Sequence, residues 1–107
     1  MIAEGQLGLL GLGVRAGTVV VGTGGVRAAL QRDEVALVVV AADCSERTRE
    51  KVVRLAEARG IRTLTGPMAE ELGRRLGRSA VQAVGVRDAR LAAGIAPECG
   101  QAQARRT

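Results

Sequence analysis

The chain has 107 residues, room for one domain, and its 47% hydrophobic content suffices for one compact core. Its net charge of +5, from 15 arginines and one lysine against 11 acids, favours a polyanionic partner such as RNA, although arginine-rich surfaces also occur in proteins that bind none. The lack of aromatic residues disfavours base-stacking folds, and the lack of histidine removes the usual catalytic base and metal ligand, so we expect no enzyme, metal or cofactor.

The first predicted elements are a helix, a strand and a second helix. Apolar residues recur along residues 7–14 closely enough to line one side of a helix, which Gly17 then ends. Three β-branched valines, residues 19–21, favour a strand. A helix from about Thr23 to Arg32 follows.

The rest of the chain continues the alternation of strands and helices. Residues 37–41 form an unbroken aliphatic run, which is typical of a central strand covered on both faces. Asp43 or Ser45 can cap the next helix, which continues to Gly60. The remaining predicted elements are a strand at 61–64, a helix opened by Gly66-Pro67 and ended by Gly77, a strand through Val81, Val84 and Val86, and a helix at 87–93.

This order predicts an α/β fold, a helix–sheet–helix sandwich with four strands. We assign the domain to residues 1–95. Residues 96–107 are rich in Gly, Gln, Ala and Arg, so we expect a disordered basic tail there.

The junction between the first strand and the second helix is typical of a phosphate-binding site. Gly22, Gly24 and Gly25 allow a tight turn, and the amides of Thr23 to Gly25 at the helix start attract an anion. Arg27 adds a full charge one turn later. A plain strand-to-helix turn is the alternative reading, and the absent Gly-Lys-Ser/Thr ending argues against nucleotide hydrolysis.

A second basic region precedes the last predicted strand. Arg74, Arg75 and Arg78 lie at a helix end, where cations complement the negative end of the helix dipole. With Ser79 they also lead into a loop that the predicted layout brings beside Gly22. A phosphate-contacting role for this loop therefore stands beside the helix-end explanation.

The remaining motifs point away from catalysis and membranes. Gly11-Leu-Gly13 nearly matches a dinucleotide fingerprint but lacks a preceding strand, so we expect no small-molecule substrate. Cys44 and Cys99 fit no metal spacing, and we expect Cys44 to be a packing residue. The longest apolar run, residues 35–42, is too short to span a bilayer, and we expect a reduced cytoplasmic protein without membrane contact.

Several segments in order resemble the kink-turn-binding ribosomal proteins of the L7Ae and L30e types, especially their short bacterial branch. The likeness covers about residues 7–94. It is carried by Leu9-Leu10-Gly11-Leu12, Arg15-Ala16-Gly17, Val21-Gly22-Thr23, the run from Leu37 to Asp43, Gly60-Ile61, Glu71-Leu72-Gly73 and Leu76-Gly77.

The resemblance implies a three-layer α-β-α sandwich with a mixed four-stranded sheet. It also implies RNA binding through the start of the second helix and the loop before the last strand. In the family that helix commonly begins Gly-small-Asn-Glu, with a lysine three positions later, whereas this chain has Gly24, Gly25 and Ala28 there. Glycine offers amides to phosphates but no side chain to a base edge.

We therefore expect a non-catalytic protein that binds structured RNA, with ribosomal RNA as the foremost candidate. The expected RNA-binding residues are Arg15, Gly22, Thr23, Gly24, Gly25, Arg27, Arg78, Ser79, Ala80 and Val81. The alternative is a protein-interaction module of the same fold that has lost RNA recognition and docks onto a translation or transcription partner.

Overall fold

The computed structural model describes residues 2–97, which form a four-stranded mixed sheet between two layers of helices. This architecture confirms the predicted fold class. The strands are β1 (Val19–Val21), β2 (Leu37–Val40), β3 (Arg62–Thr65) and β4 (Ala83–Val86). The helices are α1 (Glu4–Ala16), α2 (Thr23–Gln31), α3 (46–58), α4 (Ala69–Arg75) and α5 (Ala89–Ile95).

The sheet has the strand order β1-β4-β2-β3, so the last strand of the chain lies inside it. β2 and β3 are parallel, while β4 is antiparallel to β1 and to β2. Val21 lies opposite Val84, and Val40 lies opposite both Ala83 and Thr65. The ends of β1, β2 and β3 and the start of β4 consequently share one edge of the sheet, here called the carboxyl edge.

The core lies on both faces of β2 and β4, whose residues are all buried. The helices α1, α4 and α5 pack together in one layer, and α2 packs against α3 in the other. Each fully buried Leu or Val side chain contributes roughly 1.5–3 kcal/mol to folding. Cys44 is buried in this core, as expected of a packing residue.

The structure decides between the two predicted caps of α3 and corrects the predicted start of α4. Ser45 is the residue that caps α3, since its Oγ accepts from the amide of Thr48 at 3.1 Å. Asp43 instead accepts from the amide of Ala69 at 2.7 Å and so holds the start of α4. The prediction that Pro67 opens α4 was wrong, because Pro67 precedes that helix and its carbonyl accepts from Ala42 at 3.0 Å.

The end of the domain also departs slightly from the prediction. β4 begins at Ala83, so Val81 precedes the strand, and α5 begins after the capping Asp88 and extends to Ile95. Ala96, the first residue of the predicted tail, is buried, and its amide donates to Ala92 at 2.7 Å. Residues 98–107, which include Cys99, lie outside the described residues.

The helix α3 is continuous but changes its pitch. Its sections are α-helical at Glu46–Thr48, π-helical at Arg49–Val53 and α-helical again at Arg54–Ala58. In the middle section the amide of Arg54 donates to the carbonyl of Arg49, five residues back. None of the helices within residues 2–97 is long and apolar enough to cross a membrane.

Candidate nucleic-acid interface

The candidate site begins where β1 ends at the carboxyl edge. Gly22 has a φ of 105°, which permits the abrupt change from strand to helix and favours glycine. Its amide donates to the carbonyl of Ala83 at 2.9 Å, so this amide belongs to the sheet and is not free for a ligand. Gly22 therefore shapes the turn, and the amides available to a ligand begin at Thr23.

The next three amides, of Thr23, Gly24 and Gly25, open α2 and have no intrahelical acceptor. Gly24 and Gly25 are exposed and Thr23 is half-buried, so the helix start is open to solvent. Arg27 is exposed one turn later, and no acidic residue within 2–97 pairs with it. The N-terminal end of the helix dipole and the guanidinium thus present positive charge at the same place.

The loop before β4 is held against α4. The amide of Arg78 donates to Gly73 at 2.7 Å, and that of Val81 donates to Ala69 at 2.9 Å. Gly73 is buried so closely beneath the loop that an added Cβ would lie 2.7 Å from the Cα of Ala80. This contact fixes where the loop runs as it approaches the carboxyl edge.

Three of the four predicted loop residues, Arg78, Ser79 and Ala80, are exposed. Val81, also predicted to contact RNA, is only 4% exposed and packs in the core, so its side chain is not part of the open surface of the loop. Arg78 has no acidic partner within residues 2–97, whereas Arg74 pairs with Glu71 and Arg75 with Glu4.

Arg15 does not join this site. It lies in the last turn of α1, before β1 begins, whereas Thr23 follows the other end of β1. Because the strand runs between them, Arg15 lies towards the opposite edge of the sheet, near the point where the amide of Arg87 donates to Thr18. The sequence prediction treated residues close in the chain as close in space.

A buried hydroxyl links the elements around the carboxyl edge. Thr48, 4% exposed, lies 3.2 Å from the hydroxyl of Thr23 and donates to Gln82 Oε1 at 2.9 Å. The same Oε1 accepts from the amide of Ser45 at 2.9 Å. The starts of α2 and α3 and the segment before β4 are thereby held in one hydrogen-bond network, which the sequence analysis did not foresee.

Thr48→Val should lower the free energy of unfolding by about 1–2 kcal/mol, because valine keeps the shape but removes a buried hydrogen-bonding group. Urea unfolding followed by circular dichroism measures this change. Thr63→Val is the matched control, since Thr63 Oγ1 is buried without a hydrogen-bond partner within residues 2–97. The control should be neutral or slightly stabilising, and equal losses for both variants would contradict the network's role.

A groove of about 370 Å³ lies beside the helix start, between α2 and α3. Its lining includes Thr23, Gly24 and Arg27 from α2 and Arg47 and Lys51 from α3. The sequence analysis missed Arg47 and Lys51. Their i, i+4 spacing on one predicted helix was the available signal.

Comparisons with known proteins agree with this fold. The chain resembles a protein of unknown function from Bacillus halodurans, with a TM-score of 0.82, 28% identity, and coverage of 92% of this chain and 99% of that one. It also resembles the 15.5 kD RNA binding protein of Giardia lamblia, with a TM-score of 0.72, 21% identity, and coverage of 95% and 91%. The second likeness concerns the fold alone.

The comparison with curated proteins found no match. A family model, however, matches residues 7–94, the same span over which the sequence resemblance was drawn. The strand order, the glycine turn before α2 and this match lead to one assignment: the chain belongs to the ribosomal protein L7Ae/L30e/S12e/Gadd45 family.

Proposed function

We propose that this protein is a non-catalytic RNA-binding protein that recognises the backbone and shape of a folded RNA, with kink-turn-like ribosomal RNA as the foremost candidate. The observation that carries the proposal is the open start of α2, where three amides have no intrahelical acceptor and Arg27 is exposed without an acidic partner within residues 2–97. Family membership and the net charge of +5 support RNA as the anion.

The proposed contact surface combines two features of the carboxyl edge. The amides of Thr23 to Gly25 and the guanidinium of Arg27 bind phosphates on the α2 side. The exposed loop 78–80 contacts the RNA from the α4 side, with Arg78 as its cation. Because Gly24 and Gly25 carry no side chains, phosphate positions and the bend of the RNA provide the selectivity.

Arg27→Glu tests this surface directly. Removing one cation and adding a repulsive charge should weaken binding to a kink-turn hairpin by about tenfold or more and make the salt dependence shallower. Fluorescence anisotropy with labelled RNA gives both quantities. Arg90→Glu, which makes the same charge change after the far end of β4, should bind almost as the unmodified protein does.

The second candidate function is that of a protein-interaction module. It is favoured by Gly24 and Gly25, which replace the side chains that the resembled family uses on bases. Under this alternative, Arg27→Glu and Arg90→Glu lower RNA affinity equally, because only generic attraction remains. In either role the protein would act in the cytoplasm with translation or transcription components, and neither role requires a catalytic step.

A further inference from the structure

The groove between α2 and α3 continues directly from the proposed RNA-binding surface. It shares Thr23, Gly24 and Arg27 with the start of α2. A second depression of about 360 Å³ follows, and Arg27, Gln31 and Lys51 line both. We call the two together the α2–α3 groove.

The α2–α3 groove is strongly positive. Arg27, Arg47, Lys51 and Arg54 line it, while Glu50 is the acidic residue of its lining. None of the four cations pairs with an acidic residue within the described range 2–97. Two like charges four residues apart, the spacing of Arg47 and Lys51, destabilise an isolated helix by a few tenths of a kcal/mol. A bound polyanion would relieve that repulsion.

The lining favours a nucleic-acid backbone over a peptide. A peptide site is normally anchored by aromatic or large apolar pockets, and this chain has no aromatic residue. The apolar side chains of the lining are Ala28 and Leu55, with Gln31 and Thr48 adding polar groups. α2 has nine residues and is therefore roughly 13 Å long, enough for two or more consecutive phosphates of one strand.

We propose that the α2–α3 groove holds a second stretch of the same RNA backbone, continuous with the phosphates bound at the start of α2. This inference rests on the proposed function and extends its footprint from the carboxyl edge along α2. Arg47 and Lys51 are the residues that contact the additional phosphates.

The double substitution Arg47→Ala/Lys51→Ala tests the extension. For this variant the plot of log affinity against log salt should be shallower, with the magnitude of its slope reduced by about 1.4–1.8, as expected for two lost phosphate contacts. The affinity near physiological salt should fall about tenfold. The control Arg49→Ala/Arg90→Ala removes the same charge from exposed positions outside the groove lining. Its RNA affinity should stay within about twofold of that of the unmodified protein. Melting curves establish that both variants are folded.

Ethylation interference on the RNA supplies a second readout, and its first part uses the unmodified protein alone. With the unmodified protein it should reveal two adjoining sets of sensitive phosphates, and the Arg47→Ala/Lys51→Ala protein should lose one set. If the two double variants have the same RNA affinity, the same salt slope and the same interference pattern as each other, the groove proposal fails while the proposed function stands. If the unmodified protein binds RNA no better than Arg27→Glu does, both fail. Displacement of the RNA by polyglutamate at equal charge concentration would identify the groove as a binding site for acidic proteins and would overturn the proposal.

Discussion

Gly73→Ala should lower the free energy of unfolding by about 2–3 kcal/mol and the melting temperature by roughly 10–20 °C. The added Cβ would lie 2.7 Å from the Cα and 2.8 Å from the amide nitrogen of Ala80. These are backbone atoms, so no rotation of a side chain relieves the overlap. Either α4 or the loop 78–80 must move, and the loop is held at both ends by hydrogen bonds to α4.

Differential scanning calorimetry measures the effect, and Gly8→Ala is the matched control. Gly8 is an exposed residue of α1 whose added Cβ meets nothing within 4 Å. Its replacement should stabilise the protein by about 0.5–1 kcal/mol through helix propensity. Where Gly73→Ala remains folded, RNA affinity should also fall because Arg78 moves with the loop. Equal melting temperatures for Gly73→Ala and the unmodified protein would contradict the close packing described for the loop.

RNA affinity should fall roughly 100-fold when monovalent salt rises from about 50 to about 200 mM. The prediction follows from four proposed phosphate-contacting cations, Arg27, Arg47, Lys51 and Arg78, which give a slope of about −3 to −4 in a plot of log affinity against log salt. The α2 amides carry no net charge, so they bind phosphates without releasing further counterions from the RNA. They therefore contribute affinity that changes little with salt concentration.

Anisotropy titrations at four salt concentrations measure the slope. The control is a regular duplex of the same length, which presents equal charge without the bend. A kink-turn hairpin should bind more tightly than the duplex at every salt concentration, because shape and amide contacts add to the electrostatic term. A nearly flat salt dependence, or identical curves for the two RNAs, would contradict backbone recognition at this surface.

The fold was accessible from sequence because local signals and packing requirements agree along most of the chain. The buried run of β2 and the glycine turn before α2 lie where the patterns predict them. Pro67 misled the prediction of α4 because its start is set by Asp43, a residue of a distant segment, and not by its own first turn. A cap supplied across the sheet leaves no mark in the local sequence.

The site was predicted less completely than the fold, because it depends on which way each side chain faces. Arg27 and Arg78 are exposed as expected, but Val81 turns inward and Arg15 lies beyond the other end of β1. The hydrogen bonds of Thr48 and Gln82 could not be predicted, because they form only where the starts of two helices and the segment before β4 meet at one edge of the sheet. Such meetings depend on strand order, which periodicity does not encode.

The position of β4 has a consequence for how the chain is made. β1 and β2 do not touch in the sheet, since the last strand, Ala83–Val86, separates them. A growing polypeptide that has emerged only as far as α4 therefore holds β1 without a neighbouring strand to pair with. Synthesis must be nearly complete before the two halves can join, so a nascent chain of this protein should interact with chaperones until its final third leaves the exit tunnel.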